Sequence, residues 1–462
     1  MSETFTYTSR FDLPAETVFN WHLRPGALAR LTPPWQSVQI LSQRGGIADG
    51  GEVTLRMPLG PLSIRWVARH RDFVPGRQFA DEQVKGPFAA WLHTHRVEPD
   101  GPNACYLIDR IDYRLPGGPI GRWLGASHVQ TMLTAAFAYR HTVTRADLMN
   151  LPNTNDTLTV AVTGASGLIG QALIARLTTA GHTVKRVVRR RETGADEIGW
   201  LPDERWIDQT GLTEVDAVVH LAGESVMGRW SDAKKQRIRD SRVAGTRLLA
   251  ETLAAMDEAD RPGTLISASA VGYYGDGGDD WLTEQSPPGG GFLAEVAAAW
   301  EDAAEPAVTA GVRVAHPRFG AVMSPQGGAL QQMLPLFRMG VGGPIGRGKQ
   351  WLPWVAIDDA VEAIHHALGD SSLVGPFNVT APAPLTSAQF AKALGRVLGR
   401  PAFMPAPATM LRAMMGEMAD EVLLASQRVY PKRLLDHGFE FRYPELEPAL
   451  RHLLGKRESV AR

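Results

Sequence analysis

Residues 159–170 read T-V-A-V-T-G-A-S-G-L-I-G, a segment whose backbone requirements leave few folds open. Thr159 to Thr163 is a short apolar, β-branched run, as a buried parallel strand should be. Gly164, Gly167 and Gly170 follow in a G-x-x-G-x-x-G spacing, and a helix is expected over 167–180. In that setting Gly164 permits a sharp turn, Gly167 lets backbone N–H groups approach a pyrophosphate, and Gly170 allows close helix–strand packing. The phosphates would sit at the positive end of the helix, against Ser166, Gly167, Leu168 and Ile169. A glycine triplet alone is an ordinary turn; flanked by strand and helix it reads as a dinucleotide-binding turn. About 150 residues precede it, enough for a separate domain.

The 462 residues are 44% hydrophobic and 21% charged, a globular balance with length for two or three domains. A net charge of −1 provides no global field for nucleic acid or an anionic membrane, so neither is expected as a partner. Cys105 is the single cysteine, which excludes an intramolecular disulfide and fits a reducing compartment. No basic region followed by an apolar core opens the chain, and no uncharged apolar stretch approaches membrane-spanning length. A soluble, cytoplasmic protein is expected.

Before the glycine turn, the chain reads as one strand, a helical excursion, many strands and one long helix. Glu3 to Phe11 alternates as a strand, and Pro14 to Leu31 has helical character. Strand-like runs follow around 38–43, 52–57, 63–73, 78–84, 91–97 and 105–113, most of them separated by Gly or Pro. Over 120–148 the period turns helical, with Val129, Met132, Leu133, Ala136 and Phe137 on one face. This order resembles the helix-grip fold of the START/polyketide-cyclase-like superfamily over residues 1–149. That resemblance implies an apolar cavity between sheet and helix, able to hold an apolar ligand; a filled core would show the same pattern. His93 and His95 face one side of a strand, but a metal site needs further ligands that the sequence does not display, so no metal is expected. Residues 150–157 read as a polar linker.

After the turn, strands and helices alternate, which argues a doubly wound parallel sheet with helices on both faces. The second strand, 182–188, ends in Arg189, Arg190 and Arg191, where an NAD-binding protein would place an acid for the ribose diol. A guanidinium there suits a 2′-phosphate, so NADP is preferred to NAD. The next strand, 215–221, runs into Leu221, Ala222, Gly223 and Glu224, and Leu265 to Ala270 leads into S-A-S-A-V-G-Y-Y-G.

The ordered motifs T-G-A-S-G-L-I-G, H-L-A-G-E, S-R-V-A-G-T, I-S-A-S-A-V-G-Y-Y-G, G-G-P-I-G-R-G-K-Q-W-L-P-W-V-A-I-D-D-A and F-N-V-T-A-P resemble the short-chain dehydrogenase/reductase superfamily. More narrowly they resemble its atypical, epimerase-like branch, described as nucleoside-diphosphate-sugar epimerases and in part as cell-division inhibitors. The resemblance implies a Rossmann-type domain over 158–380 and a small C-terminal helical region over 381–462. It also implies a Ser that polarises the substrate oxygen and a Tyr-x-x-x-Lys pair that moves its proton. Ser269 matches the Ser. The Tyr and Lys are missing: none occurs between Asp276 and Glu301, and Phe292 stands about where the Tyr belongs.

Acid–base work needs a titratable group within hydrogen-bond reach, and the candidate substitutes are Tyr273 and Tyr274, next to Ser269, and Glu224 after the 215–221 strand. Glu224, Arg318, Lys349, Trp351 and Trp354 could line the substrate side, while Asp358 and Asp359 suit a helix start. Two functions fit. One is an NADP-dependent oxidoreductase or epimerase acting on a small molecule. The other is an NADP(H)-holding sensor or scaffold without turnover, linked to cell division through the branch it resembles.

Overall fold

The protein is described by a computed structural model over residues 2–59, 62–151 and 157–456. It divides into two compact units, Met1–Asn153 with Thr178–Gly181 and His452–Arg462, and Thr154–Leu177 with His182–Arg451. Most of the expected linker, 152–156, lies outside the described residues.

The first unit is built on seven antiparallel strands: β1 (Glu3–Phe11), β2 (Gln39–Arg44), β3 (Glu52–Leu59), β4 (Leu62–Val74), β5 (Gln78–Lys85), β6 (Ala90–Pro99) and β7 (Cys105–Arg114). Their order is β1-β7-β6-β5-β4-β3-β2. The helical excursion is two helices, α1 (Ala15–His22) and α2 (Ala27–Leu31), because Pro25 and Gly26 interrupt the helical run. The run of elements in residues 1–150 closes with α3 (Gly118–Met149). Val129, Leu133, Ala136 and Phe137 of α3 are buried with Phe5, Ile111 and Tyr113 of the sheet, whereas Met132 is only half-buried.

The space beneath that sheet is not uniformly apolar. Along β7 the inward positions are Cys105, Leu107, Asp109, Ile111 and Tyr113, so a carboxylate stands in an otherwise apolar row. Strand register sets Asp81 opposite His93 and His95 opposite Asp109. Asp109 accepts from His93 Nε2 at 2.9 Å, His95 Nδ1 at 2.6 Å and His141 Nε2 at 2.6 Å. The acids that the sequence did not reveal beside the His93–His95 pair are therefore present.

The second unit opens with β8 (Thr159–Thr163), α4 (Leu168–Ala180), β9 (Thr183–Val188), β10 (Glu197–Leu201), β11 (Trp206–Ile207), β12 (Ala217–His220) and α5 (Asp232–Ala255). It continues through β13 (Thr264–Ser267), β14 (Ser269–Ala270), β15 (Trp281–Leu282), α6 (Phe292–Asp302), α7 (Glu305–Thr309), β16 (Arg313–Phe319), β17 (Ala321–Met323), α8 (Gly328–Arg338), β18 (Trp351–Leu352), β19 (Trp354–Ala356), α9 (Ile357–Gly369) and β20 (Gly375–Val379). The parallel strands lie in the order β10-β9-β8-β12-β13-β16, with β20 beside β16. This is the Rossmann order, and it reverses between β8 and β12. Ala161, Val218, Leu265 and Val314 of the sheet pack on Leu248, Leu249 and Leu253 of α5. Beyond β20 the chain is mainly short helices, including residues 387–398, 408–415 and 446–453. Among the described residues, no helix is long and apolar enough to cross a membrane.

Candidate functional site

At the strand-order reversal the backbones of β8 and β12 approach too closely for a side chain. Gly164 has φ +65°, and a Cβ there would meet the Leu221 carbonyl and the Ala222 nitrogen at 2.8–2.9 Å. A Cβ on Gly170 would lie 2.2 Å from the Gly164 oxygen, so this glycine seats α4 against the turn. Gly167 is exposed and meets only the Gly164 oxygen, at 3.2 Å. Its outer side is open for close approach of a ligand. The first N–H groups of α4, from Leu168 and Ile169 onward, have no partners within the helix. Positive partial charge and free donors thus face the place where the fold holds an anion.

A residue the sequence reading passed over fixes the far wall. Thr163 Oγ1 accepts the N–H groups of Leu221 at 3.0 Å and Ala222 at 3.1 Å, and lies 2.7 Å from His220 Nδ1. Burial drives the His220 imidazole down to about 3, so the ring is neutral and Nδ1 can accept the Thr163 hydroxyl proton. A hydroxyl at the end of an apolar strand was the available sequence signal. Gly223 continues the wall, with a Cβ position 3.3 Å from the Arg242 guanidinium carbon.

The three arginines after β9 differ in their engagement. Arg190 is ion-paired with Glu197, and Arg191 with Glu204 at 2.7 Å. Arg189 is exposed and has no ion-pair partner among the described residues.

Past β13, the register sets Ser269 beside Arg318, and Arg318 beside Asn378, across three neighbouring strands. Ser269 Oγ donates to Glu301 Oε1 at 2.6 Å. Arg318 grips the same carboxylate through Nε at 2.8 Å and Nη2 at 2.7 Å, and donates through Nη1 to the Tyr274 hydroxyl at 3.0 Å. That hydroxyl donates to Asn378 Oδ1 at 2.7 Å. Burial pushes the Tyr274 phenol up to about 12. Tyr273 is half-buried, with its ring 3.5 Å beneath the Arg318 guanidinium.

Several expected substrate-side residues stand elsewhere. Arg318 is 3% exposed and fully engaged with Glu301 and Tyr274, so it organises the wall and does not receive an anion. Trp354 is 1% exposed and belongs to the core. Glu224 is paired with Lys234 at 2.6 Å, a hydrogen bond that holds its carboxyl below the usual range. Trp351 donates to Asp279 at 2.9 Å. Lys349 is exposed on the turn before β18. Asp359 lies in the first turn of α9, as expected, and also accepts the N–H groups of Arg442 and Tyr443. Phe292 begins α6, where Glu421 accepts the Phe292 and Leu293 N–H groups at 2.8 and 2.7 Å. Glu301, Asn378 and Glu421 carry no local signal in the sequence, because their partners are distant along the chain.

Family models match the three regions: NAD dependent epimerase/dehydratase over 160–379, polyketide cyclase/dehydrase and lipid transport over 11–137, and a domain of unknown function over 406–453. Epimerase family protein Mb2239 of Mycobacterium bovis is 44% identical over 292 residues, 63% of this chain and 96% of that protein. The chain belongs to the epimerase family. Its second unit is the NAD(P)-binding fold of that family, preceded by a polyketide-cyclase-like unit. The crystal structure of the nucleoside-diphosphate sugar epimerase from Corynebacterium glutamicum is 37% identical, with a TM-score of 0.80 over 98% of this chain and 90% of that one. Human epimerase family protein SDR39U1, solved with NADPH, is 33% identical, with a TM-score of 0.58 over 64% of this chain and 99% of that one.

Proposed function

We propose that the chain is an NADP(H)-dependent oxidoreductase or epimerase acting on a small molecule. The observation that carries this reading is the contact of Gly164 with Leu221 and Ala222 at the strand-order reversal, the place where a doubly wound sheet holds its ligand. The preference for NADP rests on Arg189, whose guanidinium has no ion-pair partner among the described residues and suits a 2′-phosphate. Arg190 contributes less because Glu197 competes for it. The NADPH-bound human relative supports the same preference.

When bound, the cofactor supplies or accepts a hydride. The chain must then bind it, orient the substrate and move a proton. Ser269 and Tyr274 are committed to Glu301 and Asn378. The Tyr273 hydroxyl has no hydrogen-bond partner among the described residues, and Arg318 fixes its ring, so proton transfer falls to Tyr273. The test is NADPH oxidation by the full chain against a panel of small carbonyl compounds. Tyr273→Phe should lower turnover by about 10²–10⁴-fold, the usual cost of losing a general acid. Unchanged turnover removes Tyr273 from the reaction.

The locked Ser269–Glu301–Arg318–Tyr274 chain favours one second reading, a cofactor-holding sensor or scaffold. It is distinguished by NADPH binding with neither consumption of NADPH nor change in the stereochemistry of any compound offered, since an epimerase returns its hydride and consumes no cofactor.

A further inference from the structure

The first unit contains an arrangement that the nucleotide site does not use. Ligand atoms of Asp81 on β5 and of His93 and His95 on β6 all lie within 4.8 Å of one another. His93 Nδ1 is 3.1 Å, and His95 Nε2 is 3.7 Å, from the same Asp81 oxygen, Oδ2. The other nitrogens, His93 Nε2 and His95 Nδ1, both rest on Asp109 Oδ1, at 2.9 and 2.6 Å. A carboxylate only accepts, so the nitrogens facing Asp109 carry their protons. In neutral imidazoles, each nitrogen facing Asp81 is then a bare lone pair. Two such lone pairs and an anionic oxygen converge, and either a second proton on each ring or one shared metal ion relieves their repulsion.

We propose that Asp81, His93 and His95 bind a divalent transition-metal ion of the zinc class through Oδ2, Nδ1 and Nε2 respectively. A tetrahedral ion with bonds of about 2.0–2.1 Å has ligand–ligand edges of about 3.3–3.4 Å. The 3.1 and 3.7 Å separations from Asp81 straddle that value. Asp109 is the carboxylate that metal-bound histidines need behind them to fix tautomer and ring orientation. Its second oxygen takes His141 Nε2 at 2.6 Å, which holds the acid itself in place. Phe79 stacks on His95 at 4.1 Å and Phe137 meets His93 edge-on at 5.2 Å, so neither ring is free to turn. Asp81 is the most exposed of the three, with 17% of its side chain accessible, and provides the entry path. Two imidazoles and one carboxylate leave a coordination position open for water or for an oxygen-bearing ligand.

The competing arrangement places protons, not a metal, on both histidines. To separate the two, the full chain is treated with chelator, desalted and titrated with Zn²⁺ by calorimetry and with Co²⁺ by visible absorption. One equivalent should bind, with the Co²⁺ ligand-field bands of a nitrogen/oxygen site. Asp81→Asn and His93→Ala should abolish that equivalent, and Asp109→Asn should weaken it about 10–100-fold. If a variant does not fold, ¹⁵N spectra of the wild-type ring nitrogens decide instead. Zn²⁺ should shift one nitrogen of each of two histidines while the other keeps its proton. No stoichiometric uptake by the wild type, doubly protonated rings that Zn²⁺ does not alter, or uptake unchanged in Asp81→Asn and His93→Ala would each overturn the proposal.

Discussion

The cofactor turn and the wall beyond β13 lie in one sheet yet are built on opposite logics. At the turn, the constraint resides in the backbone: Gly164 and Gly170 are there because a Cβ would strike main-chain atoms at 2.8 and 2.2 Å. Beyond β13, it resides in side chains from three strands and a helix, joined through Glu301, Arg318 and Tyr274. A backbone site keeps its short motif wherever it is used. A side-chain network can exchange members and leave no motif. That difference explains how one chain can retain an intact glycine turn while losing the Tyr-x-x-x-Lys pair.

The contrast predicts separable failures. Glu301→Ala leaves Arg318 buried and without its carboxylate, which should cost about 3–5 kcal/mol of stability. Urea denaturation should register that loss while NADPH affinity of the folded fraction stays near the wild-type value. Gly170→Ala should do the reverse. Overpacking against the Gly164 carbonyl costs about 1–3 kcal/mol, but the displaced α4 should lose NADPH binding altogether by calorimetry. If Glu301→Ala abolished binding, or Gly170→Ala spared it, the two regions would not be independent. Tyr274→Phe should have the smallest effect, about 1–3 kcal/mol, from leaving the Asn378 acceptor short of a donor. With its phenol pushed up to about 12, Tyr274 stays protonated from acid to mildly alkaline pH. The pH–rate profile of Tyr274→Phe should therefore match that of the wild type, and a missing limb would return Tyr274 to the chemistry.

What could be read from the sequence follows the same division. The β8–turn–α4 unit, the alternating strands and helices and the one long helix of the first unit were legible, because period and glycine spacing are local properties. The break between α1 and α2 rests on Pro25 and Gly26, local helix breakers inside an otherwise helical pattern. The burial of Trp354 and the commitment of Arg318 were not legible. The commitment of Arg318 follows from strand register, which sets Ser269, Arg318 and Asn378 abreast although 109 positions separate the outer two, and Trp354 is buried on β19 where it pairs with β17. Register also hid Asp81 and Asp109 beside His93 and His95. A histidine pair two apart on a strand shows only its own face, and its partners become visible once neighbouring strands are aligned.

The most direct test of the account is calorimetry of the full chain with NADPH and NADH, repeated on Arg189→Ala. A charged hydrogen bond to the 2′-phosphate contributes about 1.5–3 kcal/mol. NADPH should therefore bind roughly 10- to 150-fold more tightly than NADH, and Arg189→Ala should erase most of that margin without weakening NADH. Equal affinities in the wild type, or a margin that survives the substitution, would contradict the assignment of this turn to NADP(H).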